Sequence, residues 1–331
     1  MSANYFRNDN QTKLYWLEKY GNSWIIDVLY IALLCPLSVV GVFLNILSFK
    51  IFSSKGSSKK NLNKYFKVYT ISSIVICTFF SFNFLVRATT ILEFANSYAA
   101  RFISTRILFP IFAILYFYLS LLDIVISLER ISHFLIILKN LRSYNPYKVC
   151  FLLFLVSLAI NLTYTFVYYP GSVDVKLANN TNYTIYYNAL TSYGKSKIGQ
   201  LNIIAVYFTR DVVILLVVIV LNILSIVLLR RYLRERRELL NINEENILLM
   251  NSINTRLTVM VIIMLTISSL EHLLFFISYV YYFVYKYDMI SNICNFISIT
   301  GIVIKQISNF FMFYSFNKLF RVKLKRISKF F

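Results

Sequence analysis

Seven stretches of the chain stay apolar for about the 20 residues that a helix needs to bridge a hydrocarbon core. They run over 24–49, 66–88, 103–128, 149–169, 200–229, 257–284 and 290–316, with short polar segments between them. In lipid only a helix or a closed barrel satisfies its own backbone, and runs of this length fit the helix. The pattern therefore predicts an all-α protein, a seven-transmembrane helix bundle. The stretch from Leu201 to Leu229 is the most uniformly apolar. The second and seventh carry Ser, Thr and Asn, which turn toward neighbouring helices rather than toward lipid. The first 23 residues are polar and include Arg7, Lys13 and Lys19, without the short apolar core of a cleaved leader. The first long helix is thus expected to act as its own insertion signal.

Composition supports lipid as the solvent, since 58% of the 331 residues are hydrophobic and the mean hydropathy is +0.65. The net charge of +20 would suit a polyanion, but its Lys and Arg lie between apolar runs of spanning length, which excludes nucleic acid as a partner. They mark topology instead. The segments 50–67, 130–148, 230–256 and 317–331 hold 22 Lys and Arg, whereas the alternate set holds 10. The positive-inside rule then places the C-terminus in the cytoplasm and the N-terminus outside. The glycosylation acceptors Asn10, Asn179 and Asn182 all fall in segments assigned to the outside, and a fourth match, Asn161, lies within an apolar run. The expected organisation is an extracellular segment 1–23, a transmembrane domain 24–316 and a cytoplasmic tail 317–331, in a multi-pass protein of the plasma membrane.

In that tail Phe320, Leu324, Ile327 and Phe331 share one helical face, with Lys318, Arg321, Lys325 and Lys329 beside it. This is the pattern of a short amphipathic helix on the inner leaflet, in contact with membrane lipids; the alternative is a frayed basic tail. The run 230–240, rich in Arg and Glu, reads as a helix continuing out of the membrane. It either offers a docking surface or simply pins topology. Cys35, Cys77, Cys150 and Cys294 lie in or beside apolar runs and write neither a disulfide framework nor a zinc site.

The run Leu128-Glu129-Arg130-Ile131 resembles the Asp/Glu-Arg-Tyr motif of rhodopsin-like G-protein-coupled receptors. Asn309-Phe310-Phe311-Met312-Phe313, followed by Phe320-Arg321, is similar to that family's Asn-Pro-x-x-Tyr segment and the Phe-Arg of its membrane-surface helix. Phe310 stands in place of Pro and Phe313 in place of Tyr. Asn45 is similar to the single Asn of the family's first span. The resemblance implies that Glu129, Arg130, Asn309 and Phe313 form the switch that couples to a heterotrimeric G protein. The chain departs from the family in lacking an Asp in the second span. Ser268-Ser269-Leu270-Glu271 stands where the family has Cys-Trp-x-Pro, and the cysteines of the family's extracellular disulfide are missing. It looks like a divergent member, similar to invertebrate receptors for peptides or environmental chemicals.

An ionisable group within a span needs a partner or a role. Asp123 lies two turns from Arg130 on the same helical face, and Lys305 one turn from Asn309. The expectation is that Lys305 pairs with Asp123, joining Asn45 in an intramembrane polar network. Arg210, Asp211, Glu271 and His272 are the candidate ligand pocket, reached from outside and selecting a charged or amidated ligand; the alternative is buried pairs that fix helix register. Phe112, Tyr116, Phe276 and Tyr279 are expected to add aromatic surface. The function expected is a receptor that carries an extracellular signal, from a peptide or an environmental chemical, to a G protein. A transporter or ion channel is the alternative. His133 and His272 are the only histidines and form no metal set. No metal, cofactor or enzymatic activity is expected.

Overall fold

A computed structural model describes residues 25–54, 61–87, 93–176, 182–239, 245–285 and 289–327. The segment 1–23, the acceptors Asn10 and Asn179, and Lys329 and Phe331 of the tail lie outside these residues. Among the described residues, eight helices of ten or more residues follow in order: α1 (Ile25–Ser53), α2 (Asn61–Arg87), α3 (Tyr98–Ile131), α4 (Pro146–Leu162), α5 (Lys197–Glu235), α6 (Glu245–Tyr285), α7 (Met289–Phe316) and α8 (Lys318–Ile327). Six of them, α1, α2, α3, α5, α6 and α7, contain stretches long and apolar enough to cross a membrane. The seventh apolar stretch is helical as α4, but at 17 residues it is shorter than the 149–169 run that composition outlines. Asn145 caps its start, accepting from the Tyr147 N–H at 3.0 Å, with Pro146 in the first turn where its missing N–H costs nothing.

The polar and apolar faces are inverted relative to a water-soluble bundle. Phe43, Phe151, Leu216, Val220 and Leu270 point outward and are exposed, whereas Asn45, Asp123, Arg210, Glu271 and Lys305 are buried inside. That arrangement is stable when lipid surrounds the helices. α7 closes a ring by packing on α1, and α1 packs on α2. The ring continues through α3, α5 and α6 back to α7, while α4 lies outside it against α3 and α2. α3 is therefore the central helix, touching α2, α4, α5 and α6. Gly41 lets α1 approach closely, since a Cβ there would come within 2.9 Å of Cys77 Sγ on α2.

One feature departs from the all-α expectation. Between α4 and α5, strands β1 (Tyr168–Lys176) and β2 (Asn182–Leu190) form an antiparallel hairpin, with Tyr168 opposite Leu190 and Lys176 opposite Asn182. Val173, Val175, Tyr183, Ile185 and Tyr187 supply the β-branched and aromatic content that suits a strand. The hairpin lies against the first turns of α3, where Tyr98 meets Tyr186 edge-on and Phe109 meets Tyr168.

At the other end α8 turns away after Asn317, whose side-chain oxygen accepts from the Phe320 N–H at 3.2 Å. Phe320 is fully buried against Phe52, Phe310 and Phe313, while Leu319 and Val322 are exposed. Lys323 Nζ reaches Ser54 Oγ at 2.6 Å, and partial burial together with nearby Arg326 holds its ammonium below the usual lysine range.

Candidate functional site

The site is built on one face of α3. Tyr116, Ser120, Asp123, Ser127 and Arg130 follow one another at intervals of four and three residues, so they line a single stripe, and all five are buried. Other helices bring polar groups to that stripe. Lys305 of α7 places Nζ 2.9 Å from Asp123 Oδ2 and 2.8 Å from Glu271 Oε2 of α6. It also donates to Ser268 Oγ at 2.9 Å, and Ser268 donates to Asp123 Oδ2 at 2.9 Å. Three helices thus meet at one ammonium. One turn along, His272 Nδ1 lies 3.1 Å from the Tyr116 hydroxyl and Nε2 lies 3.1 Å from Ser120 Oγ.

Arg210 and Asp211 lie in a π-helical turn of α5, Phe208–Val213. The wider turn changes the angle between successive side chains, so that both of these adjacent residues are buried toward the bundle rather than one facing lipid. They pair with each other through two parallel hydrogen bonds of 2.9 and 2.8 Å. The guanidinium also sits over the rings of Tyr207 at 4.7 Å, Tyr116 at 5.3 Å and Phe275 at 5.9 Å. Such contacts stabilise a buried cation without adding net charge.

Arg210 and Asp211 line a cavity of about 570 Å³ between the hairpin and the ring of helices. Its walls are aromatic, from Phe80, Phe109, Phe112, Tyr168, Phe275 and Tyr279 among others, interspersed with the amides of Asn83, Asn188, Gln200, Asn292 and Asn295. Glu271 and His272 do not reach this cavity. They lie deeper, separated from it by Tyr116 and Phe275, whose rings are 5.3 Å apart. Phe276, expected on the cavity, is 36% exposed on the outer face of α6, and its neighbour Phe275 takes the inward place.

At the far end of the α3 stripe, Arg130 Nε donates to Glu129 Oε2 at 3.0 Å, and His133 Nε2 lies 3.5 Å from Glu129 Oε1. A small hollow of about 70 Å³ opens beside them, bounded by Phe134, Leu229, Tyr232, Thr255 and Thr258. Asn45 is not part of the Lys305 cluster. It donates to the Gln306 carbonyl at 3.2 Å and to the Gly41 carbonyl at 2.8 Å, tying α1 to α7 beside it, while Gln306 accepts from Ser73 Oγ at 2.7 Å. Asn309 is buried one turn from Lys305, and Phe313 packs between Phe52 and Phe66 at 4.9 Å from each.

Ser268, Gln306 and the cavity amides were not singled out by the sequence. The signal for Ser268 was its place three residues before Glu271; Gln306 has none beyond adjacency to Lys305. The described residues contain no group of three or more His, Cys, Asp or Glu able to hold a metal. Compared with models of known protein families and with curated proteins, the sequence finds no match.

Proposed function

We propose that the chain is a cell-surface receptor of the rhodopsin-like type, with seven spans. Its N-terminus and hairpin face outside, and Arg130, α8 and the C-terminus face the cytoplasm. The observation that carries this reading is the buried stripe Tyr116, Ser120, Asp123, Ser127 and Arg130, which runs along α3 from beneath the cavity to the opposite end of the bundle. A two-state bundle with such an axis lets occupancy at one end bias packing at the other. Arg130 and the hollow beside it are then the surface offered to a heterotrimeric G protein. The Lys and Arg excess at that end supports the orientation. α4 together with the 3-10 turn Thr163–Phe166 reaches about 33 Å, enough to serve as the seventh span.

The cavity favours a small uncharged ligand over a charged one. Its volume is in the range of sites for single small molecules. The charged groups lining it are Arg210 and Asp211, which neutralise each other, and opening a buried pair of this kind costs roughly 3–5 kcal/mol. Aromatic walls with amides between them suit an apolar environmental chemical or the amidated end of a short peptide.

The second reading is a transporter or ion channel, which the charges buried along the bundle axis favour. G-protein activation in cells, wild type against Arg130→Ala at matched surface level, separates the two. A ligand-dependent signal lost in Arg130→Ala supports the receptor. An ionic current without any G-protein signal removes that reading and leaves the channel or transporter.

A further inference from the structure

Lys305 faces two carboxylates with one positive charge. Its ammonium donates to Ser268 Oγ and lies 2.9 Å from Asp123 Oδ2 and 2.8 Å from Glu271 Oε2. Asp123 Oδ2 receives a second donor, the Ser268 hydroxyl. Glu271 is served less well: Oε2 has only the ion contact with the ammonium, Oε1 has not even that, and neither oxygen accepts a hydrogen bond although the side chain is 1% exposed. With both acids ionised the cluster carries one uncompensated negative charge in the interior of the bundle.

Among the described residues, no group facing the cluster supplies the missing charge. From α5, Arg210 and Asp211 neutralise each other. Tyr69 of α2 and Tyr116 of α3 face it as phenols. The remaining candidate is His272 of α6, and its hydrogen bonds suit a neutral ring. The Ser120 hydroxyl proton is directed to the Tyr116 carbonyl at 3.0 Å, so Ser120 Oγ accepts from His272 Nε2–H. The Tyr116 hydroxyl then donates to Nδ1. Both ring nitrogens are satisfied with a single proton on the imidazole. An unpaired ionised carboxylate is among the most costly groups to bury, and binding a proton is the simplest way to remove its charge.

We infer that Glu271 is a proton-binding site, holding a proton on the otherwise unserved Oε1 at neutral pH, and that this proton locks α6 against α3 and α7. Binding converts the carboxylate to the neutral acid and brings the cluster to zero net charge. Release leaves the excess charge between the three helices, so the described arrangement is favoured while the proton is bound and opposed when it is lost. The site does not depend on whether the bundle signals or conducts.

Infrared spectroscopy of the purified full chain in lipid nanodiscs reads the proton directly. At neutral pH the wild type shows the carbonyl stretch of a protonated carboxylic acid. Glu271→Gln, the uncharged isostere, lacks it, and His272→Gln retains it. The melting temperature falls as pH rises through the titration of this acid in the wild type and stays level over that window in Glu271→Gln, because a proton bound only in the folded state stabilises at low pH and ceases to do so once released. Absence of the band from the wild type, its persistence in Glu271→Gln, or a pH profile unchanged by Glu271→Gln and abolished by His272→Gln would each overturn the assignment.

Discussion

Thr105 Oγ1, on α3, donates a 2.6 Å hydrogen bond to Asn188 Oδ1 on β2. Asn96 adds a two-pronged clamp on the same strand, donating to the Thr184 carbonyl at 3.0 Å and accepting from the Tyr186 N–H at 3.2 Å. All four cysteines are free thiols, so the hairpin is held over the cavity by hydrogen bonds and aromatic contacts rather than by a disulfide. Treatment with a thiol reductant is therefore expected to leave the melting temperature unchanged. Asn96→Ala removes two bonds worth about 0.5–1.5 kcal/mol each. Hydrogen exchange across 182–190 should quicken by roughly ten-fold or more, while exchange in the helices is unaltered.

Removing the ammonium of Lys305 should be far more damaging than removing the charges together. Lys305→Met leaves Asp123 and Glu271 facing each other without a cation, and breaking one partner out of a buried ion cluster typically costs about 3–5 kcal/mol. Thermal denaturation of the purified protein should show a melting temperature about 10 °C lower, taking roughly 2–4 °C per kcal/mol for a large domain. The triple variant Lys305→Met, Asp123→Asn, Glu271→Gln carries no charge at the cluster and should recover most of that loss. Equal stability of the single and triple variants would show that Lys305 is not coupled to the two acids.

The helices were legible because lipid-spanning runs advertise themselves by length alone, and the Asp123–Lys305 contact lay within reach of spacing arguments, each residue being placed by its distance from Arg130 or Asn309. Glu271 and His272 were harder. α6 is apolar on nearly all sides, so its sequence does not fix its rotation or the depth at which its charges meet α3 and α7; their charge alone points both residues to the cavity, and packing puts them beneath it. Phe275 and Phe276 show the same ambiguity, since adjacent phenylalanines carry equal hydrophobicity and only contact with Tyr116 decides which turns inward. The hairpin was missed for another reason. Its strands contain β-branched and aromatic residues, but their anchors, Asn96 and Thr105, are about 80–90 residues away along the chain.

Topology has a direct chemical readout. With the hairpin end in the secretory lumen, Asn10 and the closely spaced Asn179 and Asn182 become available to the glycosylation machinery. Digestion with an endoglycosidase should shorten the apparent mass of the protein from a eukaryotic cell. Substituting all three by Gln should abolish that shift. A shift that appears only when an acceptor is engineered between α5 and α6 would reverse the orientation.

Phe320 joins α8 to the bundle through its ring, which lies 5.6 Å from Phe52 on α1 and 5.6 and 5.8 Å from Phe310 and Phe313 on α7. Complete burial of this one side chain sets the direction in which α8 leaves α7 and presents Leu319 and Val322 to the surroundings. Truncating a buried Phe to Ala costs about 3–5 kcal/mol through lost contacts and the cavity left behind. Phe320→Ala should therefore raise hydrogen exchange over 318–327 and lower the melting temperature, whereas Phe320→Leu, which refills most of the space, should do much less. Binding of the full chain's tail region to anionic bilayers is expected to require Lys318, Arg321 and Lys325 and to survive Phe320→Ala. Loss of lipid contact with that variant, probed by a fluorophore placed at Val322, would mean that docking on Phe52 and Phe313 is what positions the basic face.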